Sequence, residues 1–587
     1  MNILLTTLNA KFIHSSLALA YLKAFSADER WSLNIREFSI NERTDDIMAS
    51  IFHLGPGVLG FSCYIWNIKP ILEICRDYKK IAPDTVIILG GPEVSYDARS
   101  LLEMHDAVDF VIRGEGEATL KELLHTIYMN RPLEQVKGIS YRQGAQCLEN
   151  PDRELIADLD RIPFPYKGDL NAYRNRIIYY ETSRGCPYNC SYCLSSTIKG
   201  VRFFSLQRVK EDLSCLISQG VREVKFVDRT FNCHEGRALE IMEFILGQAG
   251  KTKFHFEIGA ELLSPDFMTF LQKVPAGRFD FEIGVQSTNP ESLQAVNRKS
   301  NWQILKENIK TLQAAGNIHI HLDLIAGLPY EDLPSFARSF NNAYKLNPDV
   351  IQLGFLKLLK GSDIRNQRDQ HEYLFQTEPT YQVLANRWLS YEDILNLKDI
   401  ENLLDRYYNA GNVPKSLDHI TNCIFNRDPF AFWQNFAAYW REKGLFSLAH
   451  KREAEYSILM EYIQANHPVH SELLNELLKF DFLCHNQSYN LPAPILSYNP
   501  DNSNEKLYSL LKNQEFIERY LPGVSSKTPR ENRRQVHLEY FKYDPFDCSS
   551  ATKPLPLLFV YDPVEKKACN IIKVPGEFFN LRGIQNV

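Results

Sequence analysis

No apolar run in this 587-residue sequence approaches the roughly 18 residues of a membrane-spanning helix. The opening stretch, Met1-Asn2-Ile3-Leu4-Leu5-Thr6-Thr7, has no basic region and no long apolar core, so no cleaved leader is expected. Charge of one sign is equally scarce: a net charge of -6 gives neither nucleic acid nor an anionic membrane an electrostatic reason to bind. The twelve cysteines, one triplet apart, are scattered singly and do not form the dense framework of a small secreted domain. A second C-x2-C pair is missing, so a second cluster is not signalled. With 44% hydrophobic and 24% charged residues, the sequence reads as a cytoplasmic globular protein with length for about three or four domains.

What is present is the stretch Arg184-Gly185-Cys186-Pro187-Tyr188-Asn189-Cys190-Ser191-Tyr192-Cys193, directly after the apolar run Ile177, Ile178, Tyr179, Tyr180. Thiolates are the soft ligands that iron-sulfur clusters need. Three of them, Cys186, Cys190 and Cys193, can wrap one face of a [4Fe-4S] cubane and leave one iron open. Three core cysteines falling at this spacing by accident, or a zinc site, are the alternatives. Zinc wants a fourth Cys or His, and none follows at useful spacing.

The C-x3-C-x2-C spacing, with Tyr192 as the aromatic before the third cysteine, resembles the radical S-adenosylmethionine (SAM) superfamily. The resemblance implies that the open iron chelates the amino and carboxylate groups of SAM. One electron would then split the sulfonium to give a 5'-deoxyadenosyl radical.

Residues 1 to about 135 alternate short apolar strands with helices, as in Val58-Leu59-Gly60-Phe61-Ser62 followed by Ile71, Ile74, Tyr78 and Ile81 at helical spacing behind an Asn67 cap. This predicts an α/β, doubly wound (Rossmann-like) domain whose ligand lies beyond the carboxyl ends of the strands. Two glycine loops stand there: Gly90-Gly91-Pro92-Glu93, then Arg113-Gly114-Glu115-Gly116-Glu117. In that order, before a radical SAM motif, they resemble a cobalamin-binding domain. The resemblance implies that Gly90, Gly91, Pro92, Glu93, Gly114, Glu115 and Gly116 contact cobalamin, together with Asn9, His14, Ser62, Cys63 and Tyr64 from the loops after the first and third strands. The D-x-H-x-x-G motif that supplies a lower cobalt ligand is absent. His14 and Cys63 are read as loop residues near the corrin, with cobalt free of a protein lower ligand.

Residues 136–173 read as a hairpin and a Pro-rich join through Ile162-Pro163-Phe164-Pro165-Tyr166. Six strand-helix pairs follow over 174–368, with strands near 177–183, 222–228, 253–258, 279–285, 318–324 and 350–356, a pattern like the partial (βα)6 barrel of the superfamily. By resemblance, the strand ends supply SAM contacts: Asp228, Thr230, Glu261, Glu282, Gln286, Ser287, Asp323, and Arg298 for the methionine carboxylate. Some of these polar groups are expected to be structural ion pairs only. Residues 369–587 read as a mainly helical domain, with Phe430, Phe432, Trp433, Phe436 and Trp440 as a core stripe or the wall of a substrate chamber. It ends in a small antiparallel sheet and resembles the uncharacterised domain of one branch of cobalamin-binding radical enzymes.

These readings imply an enzyme that uses a [4Fe-4S] cluster, SAM and cobalamin to methylate a carbon or phosphorus of a small-molecule or peptide substrate, fed by a flavodoxin- or ferredoxin-type donor. Non-methylating cyclisation or rearrangement would use the same loops. A non-catalytic cobalamin sensor has no need of an open iron, and a methylthiotransferase would carry a cysteine trio where residues 1–140 have only Cys63 and Cys75.

Overall fold

The computed structural model describes residues 1–579 except 169, 488–489, 523–527 and 563–566. It falls into two units, Met1–Ile394 and Leu395–Val587. Unit one holds two sheets. The first is built from β1 (Asn2–Asn9), β2 (Ser32–Ser39), β3 (Val58–Ser62), β4 (Val86–Gly90), β5 (Phe110–Ile112), β6 (Ile139–Gln143) and β7 (Gln146–Glu149), in the order β2-β1-β3-β4-β5-β6-β7. The first five are parallel, and the β6–β7 hairpin continues the sheet antiparallel from β5.

Alternation along β1 explains why both faces are covered. Leu4 and Leu8 enter one core with Ile71, Ile74 and Tyr78, whereas Ile3 and Leu5 enter the other with Leu120 and Leu123. Each of these buried aliphatic side chains contributes about 1.5–3 kcal/mol. The helix Ile68–Ile81 starts at Asn67 as its apolar spacing predicts. The Asn67 side chain does not cap it, however: Oδ1 accepts from Tyr64 N (2.7 Å) and Nδ2 donates to Thr7, Leu8 and Ser62, which locks the loops after β1 and β3 together. Strand order reverses between β1 and β3, the point at which such sheets bind ligands.

The second sheet follows β8 (Ile178–Tyr180) and an antiparallel hairpin of β9 (Ser183–Cys186) and β10 (Gly200–Phe203). It joins β8 to β11 (Glu223–Phe226), β12 (Lys253–Ile258), β13 (Phe279–Gln286), β14 (His319–Ala326) and β15 (Val350–Phe355), all parallel, in the order β15-β14-β13-β12-β11-β8. The expected six strands are present and do not close into a ring. Period-2 alternation sorts their faces. Phe254, Phe256, Phe279 and Phe281 are buried together in aromatic contact. On the opposite face, polar groups lie side by side: Lys225, His255, Asp280 and His319 in one row, then Glu257, Glu282 and His321 nearer the carboxyl ends.

In unit two the aromatic stripe is core: Phe432, Trp433, Phe436 and Trp440 of the helix Pro429–Glu442 are all fully buried. Two π-helical turns, Leu404–Tyr408 and Ile420–Ile424, interrupt the surrounding helices. The three-stranded antiparallel sheet over Val536–Tyr543, Ser550–Tyr561 and Ala568–Lys573 is present as expected. A fully buried pair, Lys479 with Glu476 at 2.9 Å, ties the helix Ser471–His485 to this sheet, because Lys479 Nζ also donates to Tyr540 O (2.8 Å). Among the described residues, no helix is long and apolar enough to cross a membrane.

Candidate active site

The β9–β10 hairpin presents Cys186 at its end, opposite Gly200. Gly185 has φ +100°, and a Cβ there would come within 2.1 Å of Gly200 O, so only glycine allows the two strands this approach. The rest of the cysteine loop is pinned to the barrel through Ser191, whose N–H donates to Val296 O (3.0 Å) and whose carbonyl accepts from Ile364 N (2.9 Å). The three thiols line one cavity at the carboxyl end of the second sheet, with Tyr188, Tyr192, Arg229, Thr230, Glu257, Glu261, Glu282, Gln286, Arg298 and Asp323. Among the described residues, no three His, Cys, Asp or Glu groups converge on a single ion. Three thiolates lining one cavity suit a cluster that takes one thiolate per iron, whereas a structural zinc ion would need a fourth ligand.

Arg298 lines this cavity. Its Nη2 donates to Gly284 O and its Nη1 lies 4.0 Å from Cys190 Sγ. Burial pushes the Cys190 thiol up, and the Arg298 guanidinium opposes the shift. β13 bulges between Gly284 and Gln286, and Gln286 takes φ +66°, a left-handed conformation that non-glycine residues seldom adopt. A Cβ on Gly284 would meet Gln286 Nε2 at 2.2 Å, so the glycine makes room for the glutamine side chain. Glu282 sits lower in the same wall. Burial would raise its pKa, but the His255 hydrogen bond (2.9 Å) and Lys225 (2.9 Å) overcome this and hold it at about 2. Burial, with the Glu282 and Glu257 carboxylates, drives Asp323 well above its ordinary value.

Three buried polar atoms of this wall have no hydrogen-bond partner: Glu261 Oε2, Asp323 Oδ1 and Arg298 Nε. Two carboxyl oxygens and a guanidinium N–H left unsatisfied around one cavity are expensive unless a ligand completes them. A ligand with hydroxyl donors and a carboxylate does so, and the ribose and methionine ends of SAM supply both.

Two of the residues expected at the SAM site point elsewhere. Asp228 is buried and accepts from Thr182 N (2.9 Å), Thr182 Oγ1 (2.7 Å) and Ser183 Oγ (2.5 Å), which fixes the start of β9. Ser287 donates to Glu331 Oε1 (2.6 Å), away from the cavity. Glu331 is itself fully buried, Oε2 lacks a partner, and burial pushes its pKa up to about 7. The folded state therefore favours the protonated acid, whose stabilisation is complete below the unfolded value near 4.5 and lost as pH rises through about 7. Glu331→Gln is expected to remove that loss, up to about 3 kcal/mol, so the melting temperature of the variant relative to wild type should rise between pH 5 and 7.5. A difference that does not change with pH would contradict the assignment. Glu257 and Arg229 line the cavity although neither was singled out from the sequence. The alternation of His255 and Glu257 against buried Phe254 and Phe256 carried the signal for Glu257.

At the carboxyl edge of the first sheet, the loops after β1, β3, β4 and β5 come together. Gly91 has φ +112°, and a Cβ there would lie 2.5 Å from Cys63 O; Gly114 has φ +73° and open space around it. Pro92 is exposed beside them and Gly116 opens the helix Gly116–Tyr128. Tyr64 stacks on Trp66 at 4.4 Å and 4°, a flat aromatic surface with Trp66 exposed. Cys63 is fully buried, and burial drives its thiol far up. Ser62 offers its carbonyl to Thr7 Oγ1 (2.9 Å), and Asn9 Nδ2 donates to His14 O (3.2 Å) and Glu37 Oε2 (2.6 Å).

Several of these loop side chains reach the barrel. His14 Nδ1 is 2.7 Å from Tyr179 Oη on β8. Glu93 is buried, accepts from Tyr381 Oη and pairs with Lys360 at 3.1 Å. Glu115 accepts from Arg202 at 2.6 Å and from Ile156 N at 2.9 Å. The carboxyl edge of the first sheet is thus bonded directly to the barrel that carries the cysteine cavity.

Comparison with known proteins finds three matches along the chain. Residues 3–124 match the B12 binding domain, residues 180–341 the Radical SAM superfamily, and residues 369–558 a protein family of unknown function, DUF4080. The chain is 28% identical over 353 residues to an uncharacterized methyltransferase, PH0819, of Pyrococcus horikoshii, covering 57% of this chain and 74% of that protein. It is also 28% identical to the cobalamin-dependent radical SAM methyltransferase TokK of Streptomyces tokunonensis, over 55% of this chain and only half the length of TokK. The fold is similar to that of the cobalamin-dependent SAM radical enzyme OxsB with aqua-cobalamin and SAM bound, with a TM-score of 0.56 and 16% identity over 82% of this chain and 78% of that one. The cysteine cavity and its orphaned polar wall fall within the Radical SAM match and the glycine-loop sheet edge within the B12-binding match, so the chain combines a B12-binding domain, a radical SAM domain and a DUF4080 domain in that order, domains that imply cobalamin, a [4Fe-4S] cluster and SAM as cofactors.

Proposed function

We propose that this protein is a cytoplasmic, cobalamin-dependent radical SAM methyltransferase that acts on an unactivated carbon or a phosphorus of a small-molecule or peptide substrate. The observation that carries this reading is the bonding of the first sheet's ligand edge to the barrel, through His14–Tyr179, Glu93–Lys360 and Glu115–Arg202. A protein that only sensed cobalamin would gain nothing from holding it against a cysteine-lined cavity. Methyl transfer gains proximity from that arrangement.

When bound, the cofactors supply a substrate radical and a methyl group to meet it. The chain's own residues do the rest. Cys186, Cys190 and Cys193 would hold a [4Fe-4S] cluster and leave one iron free for SAM. Arg298 would receive the methionine carboxylate, Glu261 would accept a hydrogen bond from a ribose hydroxyl, and Asp323, favoured as the protonated acid, would share one with a second hydroxyl, so that the atoms left bare gain partners. Tyr192 would pack against the adenine of SAM, and Gln286, held over Gly284, would reach the cofactor. Gly91 lets its loop close on the Cys63 backbone, Gly114 would let backbone approach the corrin, and the Tyr64–Trp66 stack would offer it a flat apolar surface. Burial holds the Cys63 thiol protonated and Tyr179 engages His14 Nδ1, so neither side chain would be expected to serve as a lower ligand to a bound corrin. Reducing equivalents come from a flavodoxin- or ferredoxin-type donor.

The test is anaerobic reconstitution with iron, sulfide and hydroxocobalamin, read by corrin absorbance per chain. One equivalent of corrin together with a full cluster supports the reading, and a full cluster without corrin overturns it. A Gly91→Val variant, which places its side chain against Cys63 O, is expected to lose corrin while keeping iron.

A further inference from the structure

Arg184 lies two residues before the first cluster cysteine, and its guanidinium does not face the cluster. Nη2 pairs with Glu117 at 2.6 Å, Nη1 with Glu115 at 3.3 Å and Nε with Glu181 at 2.8 Å. None of these four side chains is more than 13% exposed. Directly across the β9–β10 hairpin, Arg202 makes two contacts with Glu115, at 2.6 and 3.1 Å, and donates to Ile156 O at 2.6 Å. Arg184 also stands 5.6 Å over the ring of Tyr21. Two guanidiniums on the hairpin that carries Cys186 thus grip two carboxylates of the Arg113-Gly114-Glu115-Gly116-Glu117 loop.

A forked guanidinium fixes direction as well as distance, which a lysine cannot do. Removing one partner from a pair this dry leaves a charge uncompensated, so the contact has a single arrangement rather than many. The loop it grips is the one in which Gly114, with open space around its Cα, faces the proposed corrin. The glutamates of that loop are spent on the hairpin.

We propose that Arg184 is a positioning residue: through Glu115 and Glu117 it makes the cluster hairpin and the corrin-facing loop one body, so that the two cofactors keep a single separation and orientation. This rests on the proposed function. The Glu93–Lys360–Tyr381 contact serves the neighbouring glycine loop in the same way, with Lys360 also paired to Asp97 at 2.8 Å.

Two unpaired spins report the geometry directly. Holoprotein carrying cob(II)alamin and a reduced cluster is examined by pulsed electron paramagnetic resonance, in wild type, Arg184→Lys and Glu117→Gln, with iron content and hydroxocobalamin affinity measured in parallel. Wild type is expected to show one well-defined dipolar interaction. In both variants that interaction should broaden into a distribution, while iron content and corrin affinity stay at wild-type levels. A merely structural role would lower the yield of holoprotein without altering the interaction in what survives. Should one variant fail to hold its cluster, the other carries the test. An unchanged dipolar pattern overturns the proposal, as does a large loss of corrin affinity, which would make these residues corrin ligands. Wild-type protein that binds no corrin would overturn the proposed function itself.

Discussion

Cys190→Ala is expected to abolish 5'-deoxyadenosine formation, leaving only the background of protein without a cluster. Of the three thiols Cys190 is the most buried, lies 4.0 Å from Arg298, and belongs to the segment that Val296 and Ile364 clamp through Ser191. Its loss removes one of three iron ligands without disturbing the hairpin that carries Cys186. Iron and sulfide content should fall and the spectrum of a reduced [4Fe-4S] cluster should vanish, while corrin binding to the first domain persists. A variant that keeps its cluster and still cleaves SAM would show that the triplet is not the cluster site.

Arg298→Lys should have the second-largest effect. Charge-assisted hydrogen bonds contribute about 1.5–3 kcal/mol each, so a lysine that keeps the charge but loses the fork should weaken SAM binding by about 10- to 100-fold. Lysine also cannot span both Gly284 O and the neighbourhood of Cys190. Equilibrium dialysis of SAM against the oxidised holoprotein separates this from a loss of cluster, since iron content should be unchanged. Unaltered SAM affinity in a fully loaded variant would place the carboxylate elsewhere.

The gathering of Cys186, Cys190 and Cys193 at one cavity and the order of the matched domains were legible because each depends on neighbours in the chain. A C-x3-C-x2-C loop, a Gly-Gly-Pro-Glu turn and period-2 strands are local patterns, and local chemistry writes them. Glu257 was legible by the same alternation that buries Phe254 and Phe256. What sequence could not show is where long side chains end. Glu93 meets Tyr381 across 288 positions, Glu115 meets Arg202 across 87, and Asp228 turns to Thr182 and Ser183. Each of these residues stands at a strand end where ligand contacts are expected, and each spends its carboxylate on another segment of protein. The π-helical turns at Leu404–Tyr408 and Ile420–Ile424 were likewise hidden, because apolar spacing marks a helix without reporting its hydrogen-bond period.

The measurement that tests the central claim most directly is product analysis of the reconstituted holoprotein given reductant, hydroxocobalamin and SAM labelled with deuterium in its methyl group. If one chain holds both cofactors for methyl transfer, 5'-deoxyadenosine and S-adenosylhomocysteine should both form, and the trideuteromethyl group should appear on the corrin. Formation of 5'-deoxyadenosine with no homocysteine product and no label on the corrin would contradict methyl transfer and leave a cobalamin-binding radical enzyme of another reaction type.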